Sequence, residues 1–367
     1  MKILHVCRQF HPCIGGVERF VAELATRLTV RGHTTAVATL DHCWRKPARL
    51  SRHELVGGLY IHRLPFVGGP LFFAAPGVLD LVQHFEVIHV HNTDFFLDFL
   101  AATRFIHRRP LVVSTHGGFF HTVDHAVLKR LYFNLFTRHS LRAVIVIPNS
   151  ASDERRFTPY AGRAVRIDNA IDYPAFAAVE RQPAPGRLIT VGRLAPNKNL
   201  PALLQMFARA RMLQPGLSLV VIGDGQLRPE LEQLAAALNI AGAVRWTGEI
   251  DDANSRAELA AAEIFLSAAT YEGFGLALLE AMAAGLIPVV NDIEAFRDVI
   301  ADGQNGFLAD YTQPDSAAQT LAQVLSLSLD ERQRLSAAAR ASAANFDWPR
   351  AVEKFEAVYE EAISNTL

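Results

Sequence analysis

Cysteine is nearly missing from this chain: Cys7, Cys13 and Cys43 are all it has, an odd number with no paired spacing. A disulfide framework and a closed zinc site are therefore disfavoured, and a reducing cytoplasm fits. The opening run Met1-Lys2-Ile3-Leu4-His5-Val6 ends by Arg8, far short of a signal h-region or a membrane span, and reads as a first buried strand. Net charge is missing too, at -1, which argues against a general nucleic-acid partner. The strand-to-helix turn after residue 8 is not G-x-G-x-x-G, so the dinucleotide fingerprint is absent, and the lack of a short repeat disfavours a solenoid.

What is present is apolar material: half of 367 residues, with 20% charged, is enough for two domains with separate cores. Charge is unevenly placed. Residues 1–172 hold 21 Lys and Arg against 13 Asp and Glu, or +8, which leaves 15 against 24, or -9, for residues 173–367. The first half should meet the more anionic partner; the competing explanation is attraction between the halves themselves. Short β-branched runs at 3–6, 35–40, 87–91, 111–115 and 143–147 predict strands, with a helix near 17–31. The series then restarts, with strands at 187–191, 218–222, 244–246 and 264–267 and helices at 201–211 and 229–238. Such alternation predicts βαβ units on parallel sheets. Gln182-Pro183-Ala184-Pro185-Gly186 between the two series suits a hinge. The expected divisions are 1–174, 175–345 and 346–367, the last an amphipathic helix with Val352, Phe355, Val358, Tyr359 and Ile363 at helical spacing.

Chemistry gathers where predicted strands end. Glu272-Gly273-Phe274-Gly275 follows the strand at 264–267 and leads into Leu276-Ala277-Leu278-Leu279-Glu280. With a helix starting near Phe274, Glu272 stands at its entrance and Glu280 inside it, and the glycines let backbone N–H groups approach an anion. A Glu there also stabilises the helix start by charge alone. Gly192-Arg193-Leu194-Ala195-Pro196-Asn197-Lys198-Asn199 ends the first strand of the second series, a position that faces the ligand crevice in open α/β sheets. Arg193 as a fork and Lys198 as a point charge can clamp a diphosphate; taken alone, both read equally as solvated surface. His11-Pro12-Cys13-Ile14-Gly15-Gly16-Val17-Glu18 again joins strand to helix, and Gly15 and Gly16 can bring amides to a phosphate. Ser114-Thr115-His116-Gly117-Gly118-Phe119-Phe120-His121-Thr122 sets His116 at a strand end beside two glycines. His116, His121 and His125 are spaced five and four apart, which suits a helical metal site only in part, and no carboxylate completes the set.

Taken together, Gly15-Gly16, His116, Gly192-Arg193 to Lys198 and the Glu272–Glu280 pair resemble the retaining GT-B glycosyltransferases of family GT4, over nearly the whole chain. Arg8-Gln9-Phe10-His11-Pro12, Asp94-Phe95-Phe96-Leu97-Asp98 and residues 114–122 are similar to the α-mannosyltransferases of the xanthan and acetan exopolysaccharide pathways. The resemblance implies an α/β GT-B fold, two Rossmann-like domains facing across a deep cleft. It also implies transfer of mannose from GDP-mannose to cellobiosyl-diphosphopolyprenol, forming an α-1,3 link. Arg193 and Lys198 would hold the diphosphate, the backbone at Gly273, Phe274 and Gly275 would add donors, and Gly15 and Gly16 would close over the phosphates. Glu280 would take the ribose hydroxyls and Glu272 the sugar, which His116 approaches from the first domain. The catalytic set is then His116, Glu272, Arg193 and Lys198, acting mainly by stabilising the departing phosphate, with no metal or other cofactor required. One departure stands out: the family's Asn-Gly-Val-Asp is here Asn169-Ala170-Ile171-Asp172, and alanine in a left-handed position would be strained.

The acceptor is expected on the basic first domain, against His11, Phe119, Phe120 and His121. Residues 127–142 interleave apolar and basic side chains. That pattern suits an anionic bilayer surface touched by Lys129, Arg130, Phe133 and Phe136, and equally a core helix with a solvated basic face. A lipid-diphosphate acceptor favours the bilayer, and with it a peripheral place on the inner face of the cytoplasmic membrane. Three rivals stay open: a GT4 enzyme using another donor such as a UDP-sugar, because phosphate and ribose contacts do not read the base; a GT-B-fold nucleotide-sugar epimerase; and an idle sugar-nucleotide binder.

Overall fold

The computed structural model describes residues 1–13, 15–44, 46–69, 72–117 and 126–365. They form two compact units, Met1–Asn169 together with the chain from Pro349 onward, and Ala170–Trp348.

The first unit contains β1 (Lys2–Cys7), α1 (Gly16–Val30), β2 (Thr34–Leu40), β3 (His53–Val56), β4 (Leu59–Leu64), β5 (Val87–His91) and α2 (Phe95–Ala102). It continues with β6 (Leu111–Ser114), α3 (Ala126–Tyr132), β7 (Ile145–Ile147), α4 (Ala151–Phe157) and β8 (Arg163–Ala164). The sheet order is β8-β7-β6-β5-β1-β2-β4-β3, parallel except for the β3–β4 hairpin. Ile3, Leu4, Val6, Val87, Ile88 and Val90 are fully buried. Near-continuous apolar strands are what a parallel sheet covered on both faces needs.

The second unit contains β9 (Arg187–Val191), α5 (Leu200–Leu213), β10 (Ser218–Ile222), α6 (Arg228–Ala237), β11 (Val244–Gly248), β12 (Ile264–Ser267), α7 (Leu276–Ala283), β13 (Ile287–Asn291) and β14 (Phe307–Ala309). Its order is β11-β10-β9-β12-β13-β14, all parallel. In both sheets the strand order reverses at the first strand, between β1 and β5 and between β9 and β12. Ligands of open α/β sheets bind beyond the carboxyl ends of strands at such a reversal.

The last helix, α8 (Trp348–Ser364), belongs to the first unit from Pro349 on. Its Phe355 and Tyr359 are fully buried, Phe355 edge-on to Phe20 and Tyr359 hydrogen-bonded through its hydroxyl to His89 Nδ1 at 2.7 Å.

Several expectations meet the structure here. By contacts, the chain passes between the units after Asn169 and after Trp348, a few residues from the expected 174 and 345. Backbone pairing is the reason: the Ile171 N–H donates to Phe346 O at 2.8 Å and the Trp348 N–H to Ile171 O at 3.2 Å, which ties Ile171 into the second unit. The Pro/Gly-rich stretch is no hinge, since the Gln182 and Ala184 N–H groups bond to the Ala260 and Ala261 carbonyls inside that unit. Ala170 lies outside the left-handed region, so the expected strain is absent. Finally, Cys13 and Cys43 are brought together as neighbours with Cα atoms 5.7 Å apart, while Cys7 is a separate buried thiol. They follow the adjacent strands β1 and β2, a proximity that sequence spacing does not show.

Candidate functional site

The second unit builds a corner from the loops after β9 and β12. These strands are neighbours, and their loops are stitched: the Thr270 N–H donates to Asn197 O at 2.9 Å, and Asn197 Nδ2 donates to Tyr271 O at 3.1 Å. The stitch brings Lys198 Nζ onto Glu272 Oε1 as an ion pair, both side chains largely but not wholly covered. Gly192 is at φ +153°, and a Cβ there would stand 3.2 Å from Lys198 Cε, so glycine lets the lysine stem lie across the strand end. Gly192, Lys198 and Ser267 line one small pocket.

Beside this pair, α7 begins at Leu276, two residues later than expected, after Gly275 at φ +89°. A Cβ on Gly275 would meet the Phe296 ring at 3.0 Å as well as strain the backbone. The Phe274 ring is buried edge-on against Phe346, which leaves its backbone rather than its side chain for a ligand. Gly273 is exposed and Glu280 half-buried within α7. Arg193, next in the chain to Gly192, is exposed. The arrangement offers one ammonium, the first N–H groups of a helix and a displaceable carboxylate, which suits a diphosphate.

The first unit places its motifs at the carboxyl ends of β1, β5 and β6. Gly15 is the N-cap of α1 in extended conformation, where a Cβ would run into the Glu18 carboxylate, while Gly16 has open space around it. The His11 side chain is exposed; its carbonyl accepts from Nη2 of the buried Arg63 at 2.6 Å. His116 sits at φ +44°, an unusual conformation for a residue with a Cβ, and the loop around it is pinned. Its N–H donates to Asn149 Oδ1 at 3.2 Å, and the buried Asp153 accepts from Thr115 Oγ1 at 2.5 Å and from the Gly117 N–H at 2.8 Å. Phe119, Phe120, His121 and His125 lie outside the described residues.

Behind His116 lies a buried group the motifs did not announce. His5 and His89 are register partners on β1 and β5, and His91 is two residues further on the same face. His5 Nδ1 lies 3.1 Å from His91 Nε2, and His91 Nδ1 lies 3.2 Å from His116 Nε2. His89 bonds the Tyr359 hydroxyl and, at 2.9 Å, Ser114 Oγ. Burial pulls His5 down to about 3 and holds His89 and His91 well below the ordinary imidazole range. Ligand atoms of His5, His89 and His91 lie within 4.8 Å of one another. Both ring nitrogens of His89 and of His91 already have hydrogen-bond partners, so the cluster is closed by hydrogen bonds rather than open to a metal. Asp94, the N-cap of α2, is the other unannounced group; burial raises it to about 7 against the opposing pull of Arg8. It was visible as part of the Asp94–Asp98 motif, but nothing in the spacing told that it is buried.

Two of the four expected membrane residues face inward. Lys129 and Phe133 are 7% and 4% exposed, because the stripe Lys129, Phe133, Thr137 and Leu141 repeats every four residues toward the core. Phe133 packs edge-on to Tyr160, and Thr137 Oγ1 donates to Asp98. Arg130 and Phe136 do face outward, joined there by Val127, Leu128, Leu131 and Leu135.

Known proteins share this layout. The pattern described as Glycosyltransferase Family 4 matches residues 14–173, and that described as Glycosyl transferases group 1 matches residues 175–342. The chain is 34% identical to a GDP-mannose:cellobiosyl-diphosphopolyprenol alpha-mannosyltransferase of Xanthomonas oryzae, covering 99% of this chain and 97% of that one. It is 30% identical to a phosphatidyl-myo-inositol mannosyltransferase of Mycobacterium tuberculosis, covering 98% and 97%. Among solved structures, Anabaena HepE in complex with UDP and glucose superposes with a TM-score of 0.76 at 20% identity, over 98% of this chain and all of that one.

Proposed function

The chain belongs to the family 4 glycosyltransferases, has the GT-B fold and is a hexosyltransferase; on that premise we propose that it is a retaining α-mannosyltransferase using GDP-mannose. Its acceptor is a polyprenyl-diphosphate-linked oligosaccharide of exopolysaccharide assembly, with cellobiosyl-diphosphopolyprenol and an α-1,3 link as first choice. The observation that carries this reading is full-length similarity, at 34% identity, to an enzyme whose name states that donor and acceptor.

The local chemistry agrees with such a donor. Lys198 supplies the positive charge that a departing nucleoside diphosphate needs, and the N–H groups opening α7 add to it. A diphosphate drawing on Lys198 frees Glu272 for the hydroxyls of the sugar, while Glu280 suits the ribose and the exposed Arg193 is free to fork onto phosphate oxygens. His116 is the first unit's contact with the transferred sugar, and the amides near Gly15 and Gly16 are its contribution to the phosphates. With this charge in place the reaction needs no metal. The outward face of Arg130, Leu131, Leu135 and Phe136 meets an anionic bilayer, which keeps the enzyme peripherally on the inner face of the cytoplasmic membrane beside its lipid acceptor. No described helix is long and apolar enough to cross a membrane.

A donor panel with a cellobiosyl-lipid acceptor tests the reading. GDP-mannose should give sugar transfer, UDP-sugars should not, and a chelator should leave turnover unchanged. Transfer from a UDP-sugar but not from GDP-mannose overturns the donor, and an isomerised nucleotide sugar formed without acceptor favours an epimerase.

A further inference from the structure

The imidazoles of His5, His91 and His116 form a row linked ring to ring, and such a row has a direction. A neutral imidazole has one N–H and one lone pair, so if one ring donates forward, all do. The far end of the row decides which way. His5 Nε2 is buried and meets no partner among the described residues. An orphaned buried N–H is rarer and costlier than an orphaned acceptor, so His5 Nε2 is the lone pair and His5 carries its hydrogen on Nδ1. His5 Nδ1–H then donates to His91 Nε2, and His91 Nδ1–H donates to His116 Nε2. The remaining hydrogen of His116 is on its own Nδ1.

We propose that His91, backed by His5, is a positioning residue that fixes His116 as the neutral Nδ1–H tautomer and so makes it a hydrogen-bond donor to an oxygen of the transferred sugar. A free imidazole prefers the opposite tautomer, so the row reverses an intrinsic preference. Burial of His5 and His91 keeps the donating rings neutral near pH 7. The neighbouring His89 stands outside the row, its nitrogens taken by Ser114 and Tyr359.

The consequence for transfer rests on His116 facing the sugar; the tautomer does not, and it can be read separately. The full chain labelled with ¹⁵N-histidine, examined by two-bond ¹H–¹⁵N NMR, should show His116 protonated at Nδ1 and bare at Nε2. His91→Leu should move His116 to the Nε2–H form and lower kcat/KM by about tenfold or more, the usual size for losing an orienting partner. His91→Asn places an amide nitrogen near the position of Nδ1 and should restore both the tautomer and most of the turnover. A wild-type His116 protonated at Nε2 overturns the proposal, as does an unchanged tautomer in His91→Leu. The wild-type spectrum decides the matter even if the leucine variant does not fold. A tautomer that moves with no loss of turnover supports the row and refutes the sugar contact of His116.

Discussion

The two units repeat one layout and furnish it with opposite chemistry. All 14 histidines of the chain lie at or before His139, and the second unit has none. At its strand reversal the first unit places the linked rings of His5, His91 and His116, whereas the second places the Lys198–Glu272 ion pair. The difference teaches how one backbone plan divides labour. On the function proposed above, a corner that holds a diphosphate works by charge, while a group that meets an uncharged sugar works by a directed hydrogen bond.

Acid should break this symmetry most strongly. In the unfolded chain His5, His89 and His91 protonate below about pH 6.5, while in the folded first unit they do not. The unfolded state then binds more protons, so stability falls as pH drops below about 6.5. Asp94, raised to about 7, and Asp98, also raised by burial, have the opposite sign and gain as they protonate, but His62 and His107 are lowered by burial and add to the three rings. Hydrogen exchange at pH 7 and pH 5 should show protection lost in the first unit and kept in the second. Equal loss in both would mean that the histidines do not set the difference.

Next in size is the ion pair. Lys198→Ala should reduce turnover on the order of 10²-fold or more with the thermal unfolding midpoint unchanged. Turnover near that of the wild type would remove the diphosphate from this corner. The smallest effect concerns the outer face of α3 and the turn after it. Leu131→Ser combined with Phe136→Ser should weaken capture by anionic liposomes by roughly tenfold or more, since each exposed side chain brings on the order of 1 kcal/mol of burial. Arg130→Ala should cost less than the pair. Flotation that ignores all three changes would assign the first half's +8 balance to something other than a membrane.

Most strands were legible because a buried parallel strand must be apolar and β-branched: the runs at 87–91, 187–191, 218–222 and 264–267 coincide with β5, β9, β10 and β12. Strand β13 was not, since Pro288 interrupts its run, nor was the β3–β4 hairpin, where His53, Glu54, His62 and Arg63 dilute the pattern. Lys198 and Glu272 were singled out in the sequence, one for a diphosphate and one for a sugar, but not as partners of each other, because only the adjacency of β9 and β12 joins residues so far apart in sequence. The histidine row was invisible for the same reason, with His5 and His91 brought together by strand pairing. Lys129 and Phe133 misled because chemistry was read without the four-residue stripe that turns them inward.

The first unit borrows its closing helix from beyond the second, and this sets an order in time. Residues 1–169 alone lack Phe355 and Tyr359, the rings that cover Phe20 and His89. Domains made first on the ribosome usually fold first; here residues 170–348 are complete while the earlier-made body still waits for its lid. A product cut short before Pro349 therefore emerges with one finished body and one gaping seam, and the seam is what a protease would find first.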